Sequence, residues 1–340
     1  MTMAASTMIQ DIAYALPETL LTNAQLRLEH PGWDMDRIQK RTGVSQRYVA
    51  APGETALDLA HRAACQLFAA HPDLRSQVDG ILFCTETADH IIPPNACILH
   101  GRLGLPEHVL AFDVDLGCSG YPYCLAVARG LVATGMARNL LVANADTYSK
   151  LMDADDQSVR VLFGDAAAVS WIAASDGPAG ILDIQCGTAG AYYDKFIVPD
   201  GGCRLLPEGS TAENPAPANA SHARDKIKMD GASILAFANT KVPAAVTTLL
   251  KRNGLSVADI DLFVFHQASQ MVLDSVARML RIKPEQLFSN LANVGNTVSA
   301  SIPMVLKDAL MAGRLAPGSK VVLCGFGLGL SWGSVLLQWR

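Results

Sequence analysis

The sequence is poor in charge, in aromatic residues and in every feature that would tie it to a nucleic acid, a metal or a membrane. Charged residues make up 17% of its 340 positions, aromatics 6%, and the formal net charge is −5. No run of Lys or Arg forms a stripe, which removes the electrostatic footprint expected of a DNA- or RNA-binding chain. The eight cysteines (Cys65, Cys84, Cys97, Cys118, Cys124, Cys186, Cys203, Cys324) form no CxxC pair, and no His follows one at ligand spacing. Neither a zinc site nor a disulfide framework is therefore expected. The opening MTMAASTMIQDIAYALP lacks a basic flank leading into an apolar run. No later segment approaches the roughly 20 apolar residues of a membrane helix. These absences predict a cytoplasmic chain with no metal, membrane span or nucleic-acid partner. What the sequence does have is hydrophobicity: half its residues are apolar, enough at this length for an extensive core without covalent staples.

Strand-like runs such as VDGILFC (78–84), HVLAFDVD (108–115) and NLLVANA (139–145) are interleaved with helix-like ETALDLAHRAACQLFAA and YCLAVARGLVATG. This alternation predicts an α/β protein with helices on both faces of its sheet. The chain also resembles itself. VDGILFC, a helix, GLPEHVLAFDVDLGCSG, a second helix and NLLVANAD are followed later by IDLFVFHQ, SQMVLDSVARML, IKPEQLFSNLANVGNTV, IPMVLKDALMAG and KVVLCGFG in the same order. A duplicated unit with lobes 1–180 and 181–340 sets Gly117-Cys118-Ser119 over Gly295-Asn296-Thr297, and Cys84 over His266. Related by a pseudo-twofold axis, Cys118 and Asn296 would occupy equivalent helix starts facing one cleft. Residues 198–225, rich in Pro, Gly, Ala, Ser and Asn, predict an irregular surface loop.

Three residues in this scheme could carry chemistry. In DVDLGCSGYPYC a strand ends at Asp115, small residues turn, and a helix is expected to start near Pro122 or Tyr123. A thiol at such a corner feels the positive helix end, which favours thiolate and lowers its pKa; otherwise Cys118 is a buried structural cysteine, as Cys124 is expected to be. His266 ends an apolar strand and needs a polar partner, whether as a catalytic group or as a satisfied core histidine. Asn296, after Gly295, is either a functional amide or a cap for the next helix. All three are expected at strand C-terminal ends, where α/β folds bind ligands. The glycine-rich GFGLGLSWGS (325–334) could bring backbone N–H groups close to a substrate. It leads into a strand rather than a helix, so a dinucleotide site is not indicated.

Together and in this order, Cys118 in LGCSGYPY, His266 in FHQAS, Asn296 in GNTVSAS, GDAAAV (164–169), GFGLGLSWGS and the early RTGVSQRYVA, which begins at Arg41, resemble the ketoacyl-ACP synthase III family. The resemblance spans nearly the whole chain. It implies a thiolase-like fold: two pseudo-symmetric βαβαβαββ halves in a five-layered α-β-α-β-α body, working as a homodimer. It also implies acyl-CoA or acyl-ACP and malonyl thioesters as substrates, acyl carrier protein as a partner, and no metal or redox cofactor. Cys118 would take the acyl group while the N–H groups of Cys118 and Leu328 hold the oxyanion. His266 and Asn296 would stabilise the enolate left when malonyl loses carbon dioxide, and Gly327 would lie along the substrate path.

The resemblance also marks departures. Arg37 stands where family members have an adenine-stacking Trp, and Gln157 where they have a second adenine-contacting Arg. Met271 replaces an Arg that helps dock the carrier protein. Ile92 replaces the Phe that the partner subunit gives to the pocket floor, and Leu328 replaces a Gly. These differences predict a specialised relative making a secondary metabolite, lipid or starter unit. Rival readings are an acyltransferase that passes the acyl group to a hydroxyl or amine, and a subunit of a heteromeric synthase. Thiolase proper is disfavoured, because its second cysteine in a CxG motif is missing.

Overall fold

Strands whose side chains are buried on both faces must be covered from both sides, and the chain builds two sheets of this kind. The computed structural model describes residues 6–175, 177, 179–199 and 226–340, so most of the loop expected at 198–225 lies outside the described residues, as does Cys203. Along the chain, β1 (Ser6–Ala15) precedes a ribbon of β2 (Thr19–Thr22) and β3 (Gln46–Val49), then β4 (Gly80–Cys84), β5 (Leu110–Val114), β6 (Asn139–Asp146) and β7 (Ala166–Ser175). Next come β8 (Gly180–Thr188), the short pair β9 (Phe196–Ile197) and β10 (Lys228–Met229), β11 (Leu262–Phe265), β12 (Lys320–Gly327) and β13 (Ser331–Gln338).

The first sheet has the order β1-β7-β6-β4-β5 and the second β11-β12-β13-β8. Their pairings repeat. From β1, the first sheet runs antiparallel, antiparallel, parallel, parallel. From β8, the second runs antiparallel, antiparallel, parallel, and then continues only as one parallel bridge between Phe263 and Leu287. The second copy of the βαβαβαββ unit has thus kept its third strand as a single residue pair.

Alternation along the strands sorts the core into layers. In β4, Leu82 and Cys84 face the interior between the sheets while Ile81 and Phe83 face the outer helices. In β12, Val321 and Leu323 point inward, and Val322, Cys324 and Phe326 outward. The interior is filled by the helices Gly120–Ala133 and Ser301–Met311, whose Leu125, Ala128, Met304 and Val305 are fully buried. Helix Ala56–Ala70, started by a Thr55/Asp58 capping box, covers the first sheet. Helices Gly231–Arg252 and Gln270–Leu280 cover the second. By length and composition Gly231–Arg252 could cross a membrane, contrary to the expectation that no segment would. Here Phe237, Val242, Val246, Leu249 and Leu250 bury its apolar face within the core, and the helix also carries Lys241 and Pro243.

Candidate active site

The two central helices begin beside each other's lobe, and the elbows that feed them carry Cys118 and Asn296. Helix Gly120–Ala133 starts at Gly120, two residues earlier than the sequence suggested. The backbone of β12 passes hard against this elbow. A Cβ on Gly327 would lie 2.6 Å from Cys118 Cβ and 2.9 Å from its Sγ, and one on Gly325 would lie 2.7 Å from the Cys118 carbonyl oxygen. On the other side, a Cβ on Gly120 would fall 2.2 Å from Cys84 Sγ. The glycines of GFGLG are therefore needed for close approach of backbone to nucleophile rather than for cradling a phosphate. The N–H groups of Cys118 itself and of Leu328 turn toward the Cys118 sulfur.

The expected lowering of the Cys118 pKa by the helix end is overturned. Cys118 is 4% exposed, and burial pushes its thiol well above the ordinary 9.0, with the Glu86 and then the Asp146 carboxyl adding to the effect. The two N–H groups oppose this without reversing it, so the resting group is a thiol.

Those two acids escaped notice in the sequence. Burial, and after it the nearby Asp146, raises Glu86 from 4.5 to about 8, against the opposing Tyr148 hydroxyl and Gly117 N–H. Burial raises Asp146 from 3.8 to about 7, although its Oδ1 accepts the Glu86 N–H at 2.9 Å and its Oδ2 accepts from Ser299 Oγ at 2.5 Å. The Tyr148 hydroxyl donates to Glu86 Oε2, and the Tyr148 ring packs against Phe163 and Phe196 at centroid distances of 5.4 and 6.3 Å. The only hint in the sequence is an acid two residues beyond the apolar GILFC.

His266 and Asn296 owe their orientation to one strained residue. Val298 has a φ of 50°, a left-handed conformation that is unfavourable for a β-branched side chain. Its N–H donates to Asn296 Oδ1 at 3.0 Å. A backbone N–H can only donate, so the amide oxygen faces it and Nδ2 is left as the free donor. The Val298 carbonyl accepts from Ser301 Oγ at 2.9 Å, and the same Oγ lies 2.7 Å from His266 Nδ1. With the Ser301 proton committed to Val298, Nδ1 donates to Ser301 and Nε2 keeps a lone pair. Burial lowers His266 from 6.5 to about 3, so the ring is neutral.

Asn296 does not sit at a strand end, as expected. It follows the short helix Leu291–Val294, and a bridge to Phe163 holds it: its N–H donates to the Leu162 carbonyl at 2.9 Å, and its own carbonyl accepts from the Gly164 N–H at 3.0 Å. Beneath this crossing lies the fully buried Arg47, which donates to the Val161 carbonyl at 2.6 Å and to Asn23 Oδ1 at 2.8 Å.

A cavity of about 320 Å³ is lined by Cys118, His266, Asn296 and Gly327 together with Arg41, Gln157 and Met271. Its walls are apolar, among them Ile38, Phe163, Phe196 and Phe326. Arg37 lies one helical turn before Arg41, exposed and outside the lining; Ile92 is 82% exposed and also outside it. The Leu328 side chain packs over Gly117. Among the described residues no three His, Cys, Asp or Glu side chains gather as metal ligands.

Residues 112–190 match the family profile described as 3-oxoacyl-[acyl-carrier-protein (ACP)] synthase III, and residues 250–339 match its C-terminal counterpart. The chain is 37% identical to beta-ketoacyl-[acyl-carrier-protein] synthase III 5 of Streptomyces coelicolor, over 99% of this chain and 98% of that protein. It is 35% identical to beta-ketoacyl-[acyl-carrier-protein] synthase III of Rhodopirellula baltica, over 95% and 96%. A crystal structure of a 3-oxoacyl-(acyl-carrier-protein) synthase III superimposes with a TM-score of 0.91 at 38% identity, covering 98% of this chain and all of that one.

Proposed function

The chain belongs to the 3-oxoacyl-[acyl-carrier-protein] synthase III family, and from that membership we propose that it condenses an acyl thioester with a malonyl thioester, losing carbon dioxide, to give a β-ketoacyl product. The observation that carries the proposal is the opening of Cys118, His266 and Asn296 onto one cavity.

In the first half-reaction Cys118 Sγ bonds to the acyl carbon, its proton passes to the lone pair on His266 Nε2, and the carrier thiolate leaves and takes that proton. The N–H groups of Cys118 and Leu328, which converge on the sulfur, hold the oxyanion. In the second half-reaction the malonyl carboxylate leaves as carbon dioxide. The Asn296 Nδ2–H and the neutral His266, in the Nε2–H tautomer reached when Ser301 Oγ turns its proton to Nδ1, hold the resulting enolate oxygen; the one proton consumed per turnover comes from solvent. The carbanion attacks the acyl carbon, the bond to sulfur breaks, and the Cys118 thiolate recovers its proton. Arg41, Gln157 and Met271 contact the incoming carrier arm, Gly327 keeps the path to sulfur open, and Arg37 lies beyond the mouth. The lobes 1–180 and 181–340 each supply one elbow. The exposed Ile91 and Ile92 support a homodimer in which Ile92 reaches the partner's acyl pocket, and acyl carrier protein is the second partner.

The test is to incubate the protein with acyl thioesters and weigh it intact. A mass gain lost in Cys118→Ala, with carbon dioxide released once malonyl thioester is added, is the expected result. Equal labelling of Cys118→Ala would overturn the nucleophile assignment, and acylation without any malonyl-dependent carbon dioxide would overturn the condensation.

A further inference from the structure

The two enolate donors depend on Val298, whose φ of 50° is a conformation that a β-branched residue holds only where its surroundings enforce it. Two peptide groups meet at this residue, and both are committed. The first turns its N–H to Asn296 Oδ1. The second, between Val298 and Ser299, is pinned at each end: its carbonyl accepts from Ser301 Oγ, and its N–H donates to Asp146 Oδ2 at 3.3 Å. The Ser299 hydroxyl reaches the same carboxyl oxygen at 2.5 Å. Asp146 and Ser299 are each 1% exposed, so these bonds are shielded from solvent.

Asp146 belongs to the other lobe. It ends β6, 153 residues before Ser299, and its Oδ1 accepts the Glu86 N–H at 2.9 Å, just past the end of β4. One carboxyl therefore ties the strand ends of the first lobe to the loop that orients the donors of the second. That loop also packs on the nucleophile's elbow: Val298 Cγ1 is 3.1 Å from where a Cβ on Gly117 would stand, and Ser299 Cβ is 3.7 Å from one on Gly120. Neither Asp146 nor Ser299 lines the cavity, so what they contribute reaches the substrate through Val298. Their tie matters most in the malonyl half-reaction. When Ser301 turns its proton to His266 Nδ1, the Val298 carbonyl loses its donor, and the bonds to Asp146 are the fastening that remains on this peptide group.

We propose that Asp146 and Ser299 form a clamp between the lobes that keeps Val298 in its left-handed conformation and so positions the Asn296 amide, and with it His266, for the loss of carbon dioxide. This rests on the condensation proposed above, in which both act as positioning residues. Without the clamp Val298 relaxes toward ordinary backbone angles, and its N–H swings away from Asn296 Oδ1. The amide is then free to turn its oxygen, rather than its Nδ2–H, toward the enolate. A donor stabilises developing charge only from close to where that charge appears, and a misplacement of about 1 Å costs on the order of a hundredfold. Acylation relies on Cys118 Sγ and the N–H groups of Cys118 and Leu328, to which the clamp makes no hydrogen bond, and feels its loss only through His266.

Ser299→Ala removes the hydroxyl and keeps the backbone bond. Starting from enzyme already acylated at Cys118, its malonyl-dependent carbon dioxide release should fall about tenfold, while the rate of acylation, read by intact mass, changes by less than about threefold. Asp146→Asn sets an NH2 group against a donor and should deepen the same one-sided loss; adding Ser299→Ala to it should cost less than about twofold more, because the pair acts as a unit. In an Asn296→Ala background, with no amide left to position, the effect of Ser299→Ala should shrink to about threefold or less. Equal slowing of both half-reactions in Ser299→Ala, a full tenfold loss that persists without Asn296, or undiminished release would each overturn the clamp. A wild-type protein that releases no carbon dioxide would count against the condensation itself. The clamp is then judged by the 15N side-chain amide resonance of Asn296, assigned by its absence in Asn296→Ala: a shift in Ser299→Ala supports it, and an unmoved resonance overturns it.

Discussion

Replacing Glu86 by Gln should stabilise the protein, and more so as pH rises. The acid titrates at 4.5 in its ordinary state and at about 8 in the folded chain. Between those values the folded state holds a proton that the unfolded chain has released, so folding stability falls as pH climbs from 4.5 and levels off above 8. Each pH unit in that window is worth about 1.4 kcal/mol. Integrating from pH 5 to pH 8 gives on the order of 3 kcal/mol, reduced to about 2 kcal/mol because Asp146 shares the penalty and Glu86 keeps some solvent contact. Gln cannot ionise and escapes the loss. Melting temperatures of wild type and Glu86→Gln, taken from pH 5 to pH 9 at one scan rate, should nearly coincide at pH 5 and separate by a few degrees in favour of the variant at pH 8. The exposed Glu107→Gln serves as control and should show no such divergence. Parallel curves for wild type and Glu86→Gln would refute the reasoning, because they would mean that the carboxyl is already ionised at pH 5 and that neither burial nor Asp146 holds its proton.

Gly327→Ala would put a methyl group 2.6 Å from Cys118 Cβ; acylation measured by intact mass should drop at least about a hundredfold while circular dichroism stays native, and retained acylation would show that β12 can move aside. His266→Ala and Asn296→Ala should each keep Cys118 acylation, the histidine variant more slowly, and lose malonyl-dependent carbon dioxide release by about a hundredfold or more. Unimpaired release in either variant contradicts its assigned role. Arg47→Ala strands the Val161 carbonyl and Asn23 Oδ1 and should lower stability by about 3 kcal/mol, read from urea unfolding.

What the sequence shows and hides follows from the range of the forces involved. Strands such as GILFC and KVVLCGFG and the helices between them are legible because periodic burial leaves a periodic pattern, and the duplication is legible because both copies kept it. Electrostatics leaves no such pattern. The end of a helix near Cys118 can be read from the chain and suggests an acidic thiol. The Glu86 and Asp146 carboxyls that raise it instead come from the ends of two other strands. The left-handed backbone of Val298 is invisible for a related reason: no residue type is less suggestive of positive φ than a β-branched one. Arg37 and Arg41 show a third limit. Both lie on the helix Met35–Thr42, but a single turn of it separates the cavity wall from the open surface.

The two copies differ where chemistry requires it. At the strand end that aligns them, the first lobe carries Cys84, whose thiol donates to the Leu116 carbonyl at 2.9 Å and fills the space that Gly120 leaves. The second carries His266, whose ring is braced by Ser301. At the elbows the relation reverses, with the nucleophile in the first lobe and the amide donor in the second. The degenerate third strand of the second lobe explains how this divergence is tolerated. With β5 reduced there to the Leu287 bridge, the chain is free to form the helix Leu291–Val294 and to be tied across the lobes at Phe163. An intact strand would have bound Asn296 to its own sheet, as β5 binds the segment before Cys118. Losing a ladder in one copy lets the other copy's backbone hold the donor amide, so the pocket is assembled from unlike halves of a once-symmetric pair.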